Sequence, residues 1–254
     1  MIKEPLKDLS TAEFLAGELI LVDKPESWTS FDVVNKIRFA LKGLLGIKKI
    51  KVGHSGTLDP KATGLLVICI GKMTKKIEQL QGLDKEYTGT LRLGATTPSY
   101  DAESDIDQEY PWEHIDLELL ENTRDQFLGE QKQIPPMFSA IKVDGQPLYK
   151  LARKGQTREL KARDIKIHNF EINGFDAPEV SFTVHCSKGT YIRSLAFDFG
   201  KALDSGAYLS SLRRTEIGPY SLSDAWVLDD LIRSLEKLKM EGSIPNEPPP
   251  PSSQ

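Results

Sequence analysis

The sequence predicts an α+β protein with a central mixed, mostly antiparallel sheet and flanking helices. Two runs, Lys85–Leu93 (KEYTGTLRL) and Val180–Cys186, alternate apolar and polar residues with the period of a half-buried strand. Short helical stripes are interspersed among the strands, and hairpin-type turn signals connect them. Two further apolar runs, Glu18–Lys24 (ELILVDK) and Leu65–Ile70 (LLVICI), read as buried strands. At 254 residues the chain can bury a full core.

Taken in order, residues 1–12 are polar and expected to be loose, ahead of a folded domain over 13–240. After the strand at 18–24, Ser30 is expected to cap a helix with an apolar stripe of Val33, Val34, Ile37, Ala40, Leu41 and Leu44, ended by Gly43 and Gly46. Thr74–Leu80 reads as a short helix, and residues 94–111, with Pro98 and Pro111, read as loop. Asp116–Leu128 is an amphipathic helix stopped by Gly129. Asp144-Gly145 signals a tight turn, and Leu148, Leu151 and Ala152 a short helix that gathers Lys150, Arg153 and Lys154. Arg163–Ile172 is a strand whose apolar phase switches between Ile167 and Phe170, which predicts a bulge. A helix begins at Tyr191 with Thr190 as its cap, and Leu228–Met240 forms the last helix. The tail 241–254 is proline-rich, cannot form a core and is expected to be disordered.

Net charge is −4, but the distribution is uneven. Residues 99–130 hold eleven acids and one base, whereas residues 34–78 hold ten Lys/Arg against two acids and residues 142–168 hold eight against three. The two basic stretches read either as solvated helix faces or as a positive surface for phosphates. Cys69 and Cys186 fall in strand-like runs and read as buried free thiols rather than as a disulfide or metal ligands. No apolar signal core, no run long enough to span a bilayer, no Rossmann fingerprint, no P-loop and no metal-ligand spacing is present. The expectation is a cytoplasmic protein with neither cofactor nor metal and no membrane partner.

The most informative stretch is Gly53–Gly64, GHSGTLDPKATG. Glycines permit positive φ, and Pro60 pushes Asp59 towards extended geometry, so Asp59 belongs on a shaped loop rather than in a helix. A single carboxylate there, beside a buried strand, reads as a nucleophile or as an ordinary turn. This stretch resembles the catalytic motif of the TruB family of tRNA pseudouridine synthases, G-H-x-G-T-L-D-P-x-A-T-G, at every fixed position. Five other segments resemble that family too. They are VDKPESWTS at 22–30, KEY at 85–87, the run IPPMFSAIKVDGQPLYKLARKG at 134–155, and CSKGTYIR at 186–193 followed by LRRTEIGPY at 212–220. Glu26-Ser27 departs from the family's residue-then-glycine, and TTPSYDAESD departs from its Thr-Asp loop by Pro-Ser-Tyr ahead of Asp101.

The resemblance implies the pseudouridine synthase fold and an isomerase that converts uridine to pseudouridine in the T loop of tRNA, at tRNA position 55. It makes Asp59 the catalytic carboxylate, Arg193 the guanidinium that pairs with it, and Tyr87 the ring that stacks on the uracil. His54, Tyr191 and Leu212 would line the base pocket and Lys24 would support it. Residues 134–160 would form a thumb on tRNA, with Lys142, Lys150, Arg153 and Lys154 at the RNA. Read without the resemblance, Tyr87 and Leu212 are equally core residues, Lys24 a surface lysine and Arg193 one side of a surface salt bridge. Longer relatives carry a PUA RNA-binding domain, for which no room is expected here. The enzyme is expected to act as a monomer without a guide RNA or protein partner.

Overall fold

The computed structural model describes residues 11–139, 141–143, 145–152 and 154–241. The expectations for residues 1–10, Asp144, Arg153, the side chain of Lys142 and the tail beyond Glu241 lie outside the described residues. The chain forms two compact units, one of residues up to Leu83 together with those from Arg213 onward, the other of residues Asp84–Leu212. In chain order the elements are α1 (Thr11–Ala16), β1 (Glu18–Lys24), α2 (Ser30–Leu45), β2 (Val52–His54), β3 (Thr63–Ile70), a 3-10 turn (Gly71–Lys76), α3 (Ile77–Gln81), β4 (Lys85–Leu93), β5 (Ala95–Thr96), β6 (Gln108–Glu109), α4 (Leu117–Asp125), β7 (Gly129–Gln133), β8 (Lys142–Val143), β9 (Gln146–Pro147), α5 (Leu148–Ala152), β10 (Arg163–Asp176), β11 (Glu179–Cys186), α6 (Ile192–Ala202), β12 (Ala207–Ile217), β13 (Tyr220–Ser221), a 3-10 turn (Leu222–Asp224), β14 (Trp226–Val227) and α7 (Leu228–Glu241).

In the first unit β1 pairs antiparallel with β3 along its whole length, from Glu18 opposite Ile70 to Lys24 opposite Gly64. β14 adds parallel to β1, β2 adds antiparallel to β3, and Arg213 and Arg214 pair parallel with Thr63 and Gly64. The apolar runs of β1 and β3 are continuous because both of their faces are covered. Ile20, Val22, Leu66, Ile68 and Ile70 pack with the stripes of α2 and α7. The alternate residues Leu19, Leu21, Leu65, Val67 and Cys69 pack with Leu80 and Ile217. The N-cap of α2 is Thr29, not Ser30: Thr29 and Asp32 form a reciprocal capping box, which frees the Ser30 hydroxyl for another use. Gly46, in the left-handed conformation, ends α2, while Gly43 lies inside it. The expected helix at 74–80 is split, a 3-10 turn preceding α3.

In the second unit β4, β11, β10 and β7 lie side by side, all antiparallel. The bulge in β10 falls between Ile167 and Asn169, where the apolar phase switches, and β10 runs on to Asp176. Asp116 caps α4 through the Leu119 N–H, and the helix ends at Asp125, short of Leu128. Residues 94–111 are more than loop, because β5 and β6 pair there and Asp101 bridges to Leu209. Cys69 and Cys186 are buried free thiols, and burial pushes them up to about 11 and about 12.

Candidate active site

The Asp59 loop belongs to the first unit. β2 ends at His54, and the Ser55 N–H still reaches the Val67 carbonyl at 3.0 Å before the chain leaves the sheet, to rejoin it at Thr63. Between those points the backbone is held from outside. The Ser30 Oγ accepts from the Leu58 N–H at 2.9 Å and donates to the Leu58 carbonyl at 3.2 Å. The Ala62 N–H donates to the Asp59 carbonyl at 3.1 Å and closes a turn over Pro60. The Pro60 carbonyl accepts from the Ser27 N–H at 2.8 Å and from Lys24 Nζ at 3.2 Å. Lys24 is 0% exposed, so it is no surface lysine. Its ammonium also donates to the carbonyls of Trp28 at 2.6 Å and Pro25 at 2.9 Å. Those three acceptors join the turn after β1 to the turn after Asp59. The departure at Glu26-Ser27 is accommodated by Ser27 taking φ +66°, where the family carries glycine.

The far end of the loop rests on Arg214, whose Nε donates to the Leu65 carbonyl at 2.8 Å and whose Nη2 donates to the Gly56 carbonyl at 3.1 Å. Gly64 is needed here: its φ is +102°, and a Cβ would stand 2.3 Å from the Arg214 carbonyl oxygen. Next door Arg213 binds the Asp23 carboxylate at 2.6 Å and the Thr63 hydroxyl at 3.2 Å. Asp59 is thereby held half-buried on irregular backbone, as its flanking glycines and proline predict. His54 is half-buried, and its Nδ1 lies 3.3 Å from the Gly56 N–H. Burial first, and the Arg214 charge second, push the imidazole below its ordinary range, against an opposing contribution from the Gly56 backbone.

The second unit holds Tyr87, Tyr191, Arg193 and Leu212. Tyr87 lies opposite Val184 in the β4–β11 ladder and is buried, as the alternation predicts. Arg193 sits in the first turn of α6, 6% exposed, which excludes an exposed salt bridge. Its guanidinium donates to the carbonyls of Phe138 at 2.7 Å and Ser99 at 3.1 Å, and its Nε lies 3.5 Å from the Asp101 carboxylate. Asp101 is itself buried and also accepts from the Ser99 hydroxyl at 2.6 Å and the Glu103 N–H at 3.0 Å. Tyr191, not Thr190, is the N-cap of α6, while the Thr190 hydroxyl turns back to the Ser187 carbonyl. Gln133 does the capping work instead. Its amide accepts from the Tyr191 N–H at 2.8 Å and donates to the Tyr191 carbonyl at 3.0 Å. Leu212 is half-buried at the end of this unit. In the expected thumb, β8 and β9 form a hairpin, and α5 buries Leu148 and Leu151 while Lys150 and Lys154 line a shallow pocket with Gly145, Gln146 and Pro147.

Sequence reading missed Asp101, Gln133, Arg214 and the Ser30 hydroxyl. Asp101 lay in a stretch read as polar loop, and Gln133 carries no motif-independent signal. Arg214 differs from Arg213 only by strand phase, which the run SSLRRTEI does not make plain. The basic stretch at 34–78 does gather: Arg38, Lys42, Lys48, Lys51, Lys72 and Lys75 are among the residues around a pocket of about 550 Å³. None of these six is paired with a carboxylate among the described residues. Those residues also hold no group of three or more His, Cys, Asp or Glu side chains placed to bind a metal.

Comparison with known proteins matches residues 42–192 to the N-terminal domain of TruB family pseudouridylate synthases and residues 193–243 to the tRNA pseudouridylate synthase B C-terminal domain. The chain is 56% identical over 218 residues to a tRNA pseudouridine synthase B of Flavobacterium johnsoniae, covering 85% of this chain and 95% of that one. It is 53% identical over 231 residues to one from Phocaeicola vulgatus, covering 91% and 98%. Among solved structures it is similar to a chain in a Cbf5-Nop10-Gar1 complex, with a TM-score of 0.67 and 31% identity, covering 90% of this chain and 57% of that one. Fold and motif together define an isomerase of the pseudouridine synthase class. Within that class, the chain belongs to the TruB family.

Proposed function

We propose that the protein converts uridine to pseudouridine in the T loop of tRNA, at tRNA position 55, as a stand-alone enzyme. The reaction cleaves the N1–C1′ bond, turns the uracil and joins C5 to C1′. The C5 proton is lost and N1 gains one, so the change is an isomerisation with no redox step and no cofactor. The target base leaves its stack first, because its glycosidic bond is inaccessible within folded RNA. The observation that carries the reading is Asp59 itself, a half-buried carboxylate on a loop tied down at Leu58, Pro60, Gly56 and Leu65. Such preorganisation suits a group that must meet one carbon of a flipped nucleoside.

Asp59 acts as the essential carboxylate, by attack at C1′, by addition at C6 or by removal of the C2′ proton. Tyr87 offers its ring to the uracil and Arg193 supplies the guanidinium. His54, Tyr191, Leu212 and Lys24 complete or support the pocket. The basic pocket near Lys51 and Lys75 and the exposed Lys150 and Lys154 suit RNA phosphates, as do Lys142 and Arg153 by sequence. The relatives named tRNA pseudouridine synthase B support the tRNA substrate.

Release of tritium from 5-tritiated uridine in a naked tRNA transcript tests this. Wild-type protein is expected to release it without added RNA or protein, and Asp59→Asn to release none while binding tRNA with near-normal affinity. The likeness to a Cbf5 chain solved in complex with Nop10 and Gar1 favours a second reading, action only within an assembly. Release only on adding such partners would support that reading. Normal turnover by Asp59→Asn would refute the role of Asp59.

A further inference from the structure

Arg214 is 1% exposed, the largest side chain among the fully buried ones, and it has no carboxylate partner among the described residues. A buried charge is costly to hold unless it is paired or fully hydrogen-bonded. Its neighbour Arg213 faces the opposite way and does have a carboxylate, that of Asp23 at 2.6 Å. What Arg214 has instead is two main-chain carbonyls, those of Gly56 and Leu65, which bracket Asp59 on either side. Its own main chain packs against Gly64, whose missing Cβ makes that approach possible. A planar guanidinium donates to its two acceptors from separate nitrogens in a fixed fork, whereas an ammonium must gather its acceptors around one point.

We infer that Arg214 is a positioning residue for the catalytic loop: its guanidinium spans the two ends of residues 56–65 and fixes where Asp59 stands. It touches no reacting atom. The inference rests on Asp59 being the catalytic carboxylate, and it adds a specific demand, namely that both charge and fork shape are needed at position 214. A buried positive charge at this place also favours the neutral state of His54. The Arg214 charge acts on His54 in that sense.

The test uses the full chain with Arg214→Lys, which keeps charge and most of the volume, and Arg214→Met, which keeps volume alone. Pseudouridine formation in a tRNA transcript is measured as kcat and KM separately, alongside circular dichroism to establish folding and NMR titration of His54. For Arg214→Lys the expected result is a fall in kcat of about 100-fold, the scale of a misplacement near 1 Å, with KM within about threefold. Arg214→Met, if folded, shows the same loss, and its His54 titrates at higher pH than in wild type, whereas Arg214→Lys leaves His54 near its wild-type midpoint. A folded Arg214→Lys enzyme with kcat within about threefold of wild type overturns the inference. So does a His54 midpoint that does not move in Arg214→Met. Should Arg214→Met fail to fold, the kinetics and His54 titration of Arg214→Lys decide alone. Inactivity of the wild-type protein on tRNA would count against the proposed function, while the His54 titrations would still report on Arg214.

Discussion

The Asp59 loop and the Tyr191–Arg193 turn hold their functional side chains in opposite ways. In the loop the backbone is irregular, and distant side chains reach in to hold its main chain: Lys24 and Ser30 from the N-terminal side and Arg214 from β12. At the start of α6 the backbone is regular, and partners hold the functional side chain itself. Three separate groups, Ser99, Phe138 and Asp101, meet the guanidinium of Arg193. A helix end supplies direction without assistance, so its partners refine one side chain. A loop has no intrinsic shape, so its geometry is only as firm as its supports. The contrast teaches that damage to the loop should appear first as lost folding or lost placement, and damage at α6 as a milder, local effect.

The largest expected effect follows from Gly64→Ala. The added methyl group meets the main chain of Arg214, which cannot swing aside, at a φ that alanine disfavours. A loss of about 4 kcal/mol or more is expected by urea unfolding, at the extreme of single substitutions. A loss under about 1 kcal/mol would mean that the loop yields easily and would break the comparison. A smaller effect is expected for Gln133→Leu, which removes both side-chain hydrogen bonds to the Tyr191 main chain while its carbonyl keeps the Leu195 N–H. A loss of about 1–3 kcal/mol is expected by urea unfolding. Hydrogen exchange at the first turn of α6 should rise while that of β1 and β3 does not.

The smallest effect is a difference in pH response. His54 is depressed, so the stability it contributes is full above its ordinary value near 6.5 and is lost as pH falls through that value towards the lowered one. Asp198 in α6 is raised by burial to about 6, against a lowering by Lys201, so its contribution is present in acid and lost as pH rises through about 6. Between pH 7.5 and 5.5 the two therefore act in opposite directions. His54→Gln should reduce the fall in Tm on acidification, and Asp198→Asn should raise Tm at pH 7.5. Unchanged Tm–pH curves in both variants would remove these groups from the account.

Much of the fold was legible because burial writes itself into period. β1 begins and ends where its apolar run does, β11 alternates as expected, and the phase switch of β10 marks its bulge. Caps were read one residue away from where they fall at both Ser30 and Thr190, since the capping box with Asp32 favours Thr29 and a distant residue, Gln133, meets the main chain of Tyr191. Of the candidate site, the motif located Asp59 and the placement on a loop followed from Gly and Pro. Of the supports, only Lys24 was legible, and only through the resemblance. Read without it, Lys24 was as readily a surface charge, because its acceptors are carbonyls of Trp28 and Pro60, which no side-chain pattern announces. Asp101 and Gln133 were hidden for the same reason, each acquiring its meaning from a residue more than fifty positions away.

The pairing of Thr63 and Gly64 with Arg213 and Arg214 has a temporal side. A ribosome makes the loop's motif early and its anchor some 150 residues later, seconds apart at ordinary elongation rates of about 5–20 residues per second. A nascent or truncated chain ending before Arg214 would display the complete motif yet lack the anchor that closes it. The support of the loop therefore arrives late in synthesis, about 150 residues after the segment it holds.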